Sequence, residues 1–428
     1  MVPRAHRSNA VVTPARDPAS CIQMRRAAFA LCLLIAAAAH AQTFALHGFG
    51  TARGVNASGP PSWLDGGFGR LSAGDGHTEA LAVLQLGADW TPSPYFDLHA
   101  SGVARRQATH AGRPAGIVDA YADVRAIRGR DTLQLRVGQF FLPSSRENKG
   151  ELWTSPYMIS FSALNTWIGE ELRPVGADLE WRHETSSGMV LTAAATAFQN
   201  NDSLGALLGW RGWTIGNRLS VYNEVLPLPP LATLPTFFSG QRSDGTKPFG
   251  RDLDGRTGYA ARVRSALPER ANVQVMHVDN RGDRALSHGV YAWATAFTLL
   301  SLEIGRTDDT VFAAEYADGR SGMGFRGGGW VQMDLHAGYA LVSHRRARNR
   351  FSARFDHFGT RDRDHSAAET NSEDGHAWTA AWMFDVTPKM RAGAEITQVT
   401  GDRPAAAESG YAASMAGRAV TLELRYGF

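Results

Sequence analysis

The end of the chain, residues 419–428, alternates strictly between apolar and polar side chains. The apolar face carries Val420, Leu422, Leu424, Tyr426 and Phe428, and the other face carries Thr421, Glu423 and Arg425. A period of two predicts a β-strand with one apolar and one polar face. Such a strand fits the half-buried edge of a soluble sheet. It equally fits the closing strand of a transmembrane barrel, whose apolar face meets lipid.

The same alternation recurs along the chain and favours the barrel. It predicts sixteen strands, at 43–53, 80–90, 95–105, 117–127, 132–141, 174–183, 189–198, 256–266, 271–280, 289–304, 310–318, 330–343, 350–360, 376–386, 390–400 and 417–428. Each segment on its own is a weak signal.

The lengths of the connections give a stronger indication. Links after even-numbered strands are short, at 91–94, 128–131, 184–188, 267–270, 305–309, 344–349 and 387–389. Links after odd-numbered strands are longer, at 54–79, 106–116, 142–173, 199–255, 281–288, 319–329, 361–375 and 401–416. Short periplasmic turns and long extracellular loops are typical of outer-membrane barrels. We therefore predict an all-β protein, a transmembrane antiparallel β-barrel of about 16 strands, over residues 42–428.

The first 41 residues differ from the rest. Met24 and two arginines precede thirteen apolar residues and an Ala-His-Ala site before Gln42, which is the pattern of a signal peptide at 24–41. Residues 1–23 lack that character, and we expect translation to start at Met24. Removal of 1–41 eliminates both cysteines and leaves 39 basic and 40 acidic residues. This balance gives no indication of nucleic-acid binding, and the absence of cysteine excludes a disulfide framework in the mature chain.

Charged residues recur on the polar faces of the predicted strands. Sixteen strands enclose enough space for an aqueous channel, and water allows such charges to line the interior. The predicted pore wall consists of Asp119, Asp123, Arg125, Arg136, Asp178, Glu180, Arg182, Arg262, Arg264 and Arg354. The same alternation places Asp334 on the inner face and Tyr339 on the lipid face.

The third long link and the last strand carry a family resemblance. Gly138-Gln139-Phe140, a loop containing Pro143 and Glu147, and Arg173-Pro-Val-Gly before the next strand resemble the Gram-negative outer-membrane porins, loosely the phosphate-selective group. The resemblance implies a homotrimer in the outer membrane that passes small solutes, with loop 142–173 folded inward as a constriction. The constriction charges would be Arg146, Glu147, Lys149, Glu151, Glu170, Glu171 and Arg173. Their mixed signs leave the ion preference open.

Several alternatives and partners follow from this interpretation. The aromatic residues Trp153, Tyr157, Phe161 and Trp167 either form a stacking track for sugars or pack the loop against the barrel. A solute-specific anion or sugar channel therefore remains an alternative, and an outer-membrane enzyme or an adhesin barrel is a further one. We predict no catalytic residues, resident metal or cofactor. The expected partners are membrane lipid, lipopolysaccharide, small hydrophilic solutes and, through the strand ending at Phe428, the barrel assembly machinery.

The loop at 361–376 is rich in acidic and histidine residues. Carboxylate and imidazole groups in this density either hold a divalent cation or form a solvated surface, and the sequence does not decide between them. The residues concerned are Asp362, Asp364, His365, Glu369, Glu373, Asp374 and His376. A further open question is whether 210–222 forms an additional strand.

Overall fold

A computed structural model describes residues 42–106, 112–366 and 369–428 as a closed antiparallel barrel. The predictions for 1–23 and 24–41 lie outside the described residues. The barrel strands are β1 (Thr43–Ser58), β2 (Thr78–Ser93), β3 (Phe96–Arg106), β4 (Ala115–Arg128), β5 (Asp131–Gln139), β6 (Val175–Glu184), β7 (Val190–Gln199), β8 (Gly258–Leu267), β9 (Ala271–Asp279), β12 (Ala294–Gly305), β13 (Thr310–Gly324), β14 (Trp330–Arg346), β15 (Asn349–Asp362), β16 (Glu373–Thr387), β17 (Met390–Asp402) and β18 (Ser414–Gly427). A short hairpin, β10 (Leu286–Ser287) and β11 (Val290–Tyr291), lies between β9 and β12. The predicted sixteen-stranded barrel is confirmed.

The first and last strands close the barrel. Phe49 of β1 lies opposite Gly427 of β18, and Ser58 lies opposite Arg418. The outward side chains of β18 are exposed, with Leu422 60% exposed, while Glu423 on the inner face is buried. The predicted two-faced terminal strand is thus present. Closure removes the unpaired edge that an open sheet would leave.

The connections sort by length, as the alternation predicts. We call the end of the barrel with the short connections the turn end and the opposite end the loop end. The prediction fails at the link after β13. There the strand continues through Gly324, so only residues 325–329 connect it to β14. The segment 210–222 forms no strand, and its Ile215 makes one isolated bridge to Leu71.

In β14 the predicted faces of Tyr339 and Asp334 are wrong. Tyr339 faces the interior and is 4% exposed, whereas Asp334 lies on the outer face and pairs with Arg363. Alternation assigned the apolar set of this strand to lipid. The loops inside the barrel, however, offer Leu335, Ala337 and Tyr339 a second apolar environment. Periodicity separates the two faces of a strand but does not say which face points inward.

Long loops fill the interior toward the loop end. The loop after β5 carries helix α1 (Ala163–Glu171), and the loop after β7 carries the short helix α2 (Ala206–Trp210). Their apolar side chains form one core with inward residues of the wall. It includes Trp167, Leu207, Trp210, Trp213, Phe297, Met333 and Phe358. The expected water-filled interior is therefore corrected, because much of this half is packed like a protein core. Among the described residues, no helix is long and apolar enough to cross a membrane.

Candidate solute path through the barrel

The loop 142–173 is fixed to the barrel wall by a buried ionic network. Arg354 of β15 donates to Glu147 Oε1 at 2.7 Å and to Asp356 Oδ2 at 2.8 Å. It also donates to the backbone oxygens of Ser160 and Phe161 at 3.0 and 2.9 Å. The side chains of Arg354, Glu147 and Asp356 are fully buried. Charges in such a place are stable only when paired and hydrogen-bonded, which they are here.

The charges at the end of α1 are buried as well. Glu170 pairs with Arg211. Glu171 accepts the indole hydrogen of Trp167 at 2.6 Å and the backbone hydrogens of Gly205 and Leu207 at 2.9 Å. Burial raises the pKa of Glu171 to about 7 and also raises the pKa of Glu170. These carboxylates join the two inner loops.

Arg173 follows α1 and serves the same packing. Its guanidinium donates to the backbone oxygens of Gly169, at 2.6 Å, and of Ser220, and it lies 4.1 Å over the ring of Phe141. Burial lowers the pKa of Arg173 to about 9. A guanidinium satisfied by carbonyl oxygens and an aromatic face stabilises the loop structure without facing solvent.

The predicted constriction set is thereby reduced. Of the seven charges, Glu147, Glu170, Glu171 and Arg173 are fully buried, and Arg146 is 8% exposed. Lys149 and Glu151 retain partly exposed side chains. Lys149 pairs with Glu303 at 2.6 Å, and Glu151 contacts His47 at 2.8 Å. A fully buried group does not contact a passing solute. The prediction that all seven line a constriction is therefore wrong for the four fully buried residues, and for Arg146, Lys149 and Glu151 it stays a prediction.

The aromatic residues of this loop pack against protein. Tyr157, Phe161 and Trp167 are each no more than 2% exposed, and Trp153 stacks on Phe141 with ring centroids 4.4 Å apart. The second of the two interpretations, packing of the loop, accounts for them. A stacking track for sugars needs exposed ring faces, which these three residues do not offer.

The ten predicted wall residues all lie on inward positions of their strands, mostly in ion pairs. Arg136 binds Asp123 through two contacts at 2.9 Å, and Arg125 pairs with Asp97. Arg262 contacts Asp178 at 2.7 Å and Glu180 at 2.6 Å. Asp119 accepts a hydrogen bond from Ser101, and Arg264 donates one to Thr192. Arg354 binds Glu147 of the loop 142–173, and Arg182 is exposed near the turn end. Most charged side chains of the inner wall therefore have a partner of opposite charge on the wall.

A cleft remains between the inner loops and the wall formed by β17, β18, β1, β2 and β3. It has a volume of about 60 Å³, enough for a few water molecules. Its charged lining consists of Arg53, Arg105, Arg218, Arg391, Arg425 and Glu423, and Gln85, Thr154, Ser155 and Asn217 add neutral polar groups. Ser72 is a further neutral polar residue of the lining, and the rest of the lining is apolar, including Phe49 and Met158.

Salt bridges position the charges of the cleft. Glu423 contacts Arg53 at 2.6 Å and Arg391 at 3.5 Å. Arg425 lies 3.7 Å from Glu151, and Glu224 pairs with both Arg105 and Arg218. Arg53, Arg391 and Arg218 are not among the site residues that the sequence predicts. The alternation of β1 does put Arg53 on the inner face, but the loop position of Arg218 has no such signal.

Comparison with known proteins supports the fold. The sequence matches no protein-family model and no curated protein. The outer-membrane channel DcaP of Acinetobacter baumannii superposes with a TM-score of 0.53 at 11% identity, over 90% of this chain and 97% of that one. OmpF of Salmonella typhi, solved with daunomycin, gives a TM-score of 0.51 at 10% identity, again over 90% and 97%. In fold, this chain is a sixteen-stranded barrel similar to outer-membrane porins.

Proposed function

We propose that this protein is an outer-membrane porin of a Gram-negative bacterium. It would pass small ions along the cleft between the inner loops and strands β17, β18, β1, β2 and β3. The observation that carries the proposal is the arginine-rich cleft inside a barrel whose outer face is apolar. The apolar exterior suits lipid, and charged groups along a narrow passage select ions by sign.

The charge of the cleft favours anions. Five arginines and one glutamate line it, and two further carboxylates, Glu151 and Glu224, contact those arginines from outside the lining. The remaining excess is two positive charges. A positive potential in a narrow passage raises the local concentration of anions.

The dimensions of the cleft favour a small conductance. A volume of about 60 Å³ admits a few waters or a small inorganic ion, and an apolar core fills much of the loop half of the barrel. An oligosaccharide would need the inner loops to move. We therefore infer passive diffusion of small hydrophilic solutes, with anions preferred, and not a sugar-specific channel.

The remaining parts of the proposal concern assembly. The outer face would contact membrane lipid and lipopolysaccharide, and the strand ending at Phe428 would be recognised by the barrel assembly machinery. A homotrimer is proposed from the resemblance to porins. Chemical crosslinking of the barrel in membranes, followed by gel analysis, tests the trimer independently of conductance.

The test of the function is conductance of the refolded mature chain in a planar bilayer, with the reversal potential measured across a salt gradient. We expect small, ohmic steps and a potential of the sign given by anion selectivity. Arg391→Gln should weaken that preference, while Arg361→Gln, an outward-facing position on β15, should leave it unchanged. Cation selectivity of the unaltered protein would overturn the anion proposal.

The filled interior favours a second candidate, a closed structural or adhesin barrel. Such a protein would show no conductance at any voltage, although it would fold and insert. Loosening the inner loops would then create a conductance that the unaltered protein lacks. The bilayer experiment therefore distinguishes the two candidates directly.

A further inference from the structure

Three carboxylates converge at the loop end of the barrel, beside the connection between β15 and β16. Asp362 ends β15, and Asp364 and Glu369 lie in the loop that follows. Each offers one oxygen, and the three oxygens lie within 4.8 Å of one another. These are three of the residues whose role the sequence left undecided.

Hydrogen bonds on either side of Glu369 attach this segment to neighbouring elements. Asp364 Oδ2 accepts the backbone hydrogen of Gln332 on β14 at 2.7 Å. Asn371 donates through its side chain to Gly209 O at 2.9 Å, and its backbone oxygen accepts from Thr360. Asp364 is thereby attached to β14, and Asn371 to the end of α2 and to β15.

Glu369 is the member without a hydrogen-bonding partner. Its side chain is almost completely buried, with 6% of the residue exposed, and its Oε1 has no donor among the residues that the structure describes. By contrast, Asp362 Oδ1 accepts from the backbone of Asp364 at 3.0 Å and of His365 at 2.9 Å. A buried carboxylate with no donor and two carboxylates beside it is unfavourable unless a proton or a cation compensates it.

The surrounding charges do not supply that compensation by contact. Arg403 is the cation whose field acts on Glu369, but its own hydrogen bonds go to Glu373 Oε2 at 2.9 Å and to Gly209 O and Trp210 O. Burial, together with Asp364 and Asp362, raises the pKa of Glu369 to about 8. Glu408 adds further negative potential.

We propose that Asp362, Asp364 and Glu369 form a site for a hard divalent cation of the Ca²⁺ class. Carboxylate oxygens are the ligands such ions prefer, and water completes the coordination. Asp362 and Asp364 are only partly buried, so an ion and its waters reach the site from the loop end. The ion supplies the positive partner that the buried Oε1 of Glu369 lacks, and it holds the loop to the barrel.

The test is calorimetric titration of Ca²⁺ into the refolded full chain after treatment with a chelator. Glu369→Gln and Asp364→Asn keep the shape of the side chain and remove one ligand charge. We expect either change to weaken binding at this site by at least about tenfold, since ligand charge sets Ca²⁺ affinity. Migration of the unheated, folded barrel in gels checks that each variant folds.

Two controls assign the signal to this site. Glu408→Gln removes a neighbouring charge without removing a ligand, and should change the affinity by less than about threefold. Asp254→Asn disrupts a separate acidic group formed by Asp202, Asp252 and Asp254 and should leave the Glu369-dependent binding intact. If the unaltered protein binds no Ca²⁺ at millimolar concentration, the proposal is wrong. Equal affinity in the unaltered protein and in both ligand variants is the other result that would overturn it.

Discussion

Replacing Arg354 by Met would test whether the buried ionic network holds the inner loop to the wall. Met has a similar length and no charge, so the change removes the guanidinium with little loss of volume. Four hydrogen bonds of 2.7 to 3.0 Å are lost, to Glu147, Asp356, Ser160 and Phe161. Two fully buried carboxylates remain without their cation.

The expected loss of stability is large. Breaking a buried ion pair by removing one partner costs about 3–5 kcal/mol, because the other charge is left uncompensated. Glu147 keeps two donors, Ser162 N at 2.9 Å and Asn165 Nδ2 at 3.0 Å, and Asp356 keeps Ala163 N at 3.0 Å. Because these hydrogen bonds remain, we expect the free energy of unfolding to fall by about 3 kcal/mol, the lower end of that range.

The matched control is Arg345→Met. Arg345 also contacts a carboxylate at 2.7 Å, that of Asp385, but both side chains are 39% exposed. An ion pair with that exposure contributes about 0–1 kcal/mol. The same substitution at the two sites therefore separates a buried network from a solvated pair.

Equilibrium unfolding in guanidinium chloride, followed by tryptophan fluorescence, measures the difference. Bilayer recordings of the same variants report whether the loop has become mobile, through larger or noisier current steps in Arg354→Met. If Arg354→Met and Arg345→Met unfold within about 1 kcal/mol of each other, the network does not hold the loop and the reasoning fails.

Three further predictions address packing and protonation. Trp210→Ala should lower the free energy of unfolding by about 3–5 kcal/mol and enlarge the conductance, because Trp210 is buried beside Phe238 and Trp293. Trp378→Ala, on the outer face, should lower the free energy of unfolding by less in the same assay. Gly87→Ala should destabilise the contact of His47 with Glu151, since the new Cβ would lie 2.6 Å from His47 Cε1. In the control Gly50→Ala, the new Cβ meets no atom within 4 Å. The noise of the bilayer current compares the two variants, and equal noise would contradict the steric argument. Burial raises the pKa of Glu171 to about 7 in the folded protein. The stability that Glu171 contributes is therefore fully present below its unfolded-state pKa and is lost as the pH rises through about 7. The denaturant midpoint should fall less over this pH range in Glu171→Gln, and an unchanged slope of midpoint against pH would refute the assignment.

The barrel itself follows from local pattern. Strand alternation and turn chemistry are properties of neighbouring residues, and they placed the sixteen strands and nearly all of the turns without tertiary information. The inner positions of the ten wall residues follow for the same reason, since the side-chain period of a strand is fixed. In β14, where Leu335 and Tyr339 alternate with Asp334 and His336, the pattern separates the two faces but does not indicate which face is inside.

The arrangement of the interior depends on tertiary contacts between distant parts of the chain. Glu147 and Arg354 are 207 residues apart, and Arg53 meets Glu423 across 370 residues. No local period links such positions, so a charge in loop 142–173 has the same appearance in sequence whether it faces water or a buried partner. Local pattern alone predicts a barrel with charged inner faces. Only the packing of two long loops against the wall decided which charges are buried in pairs and which ones line the remaining cleft.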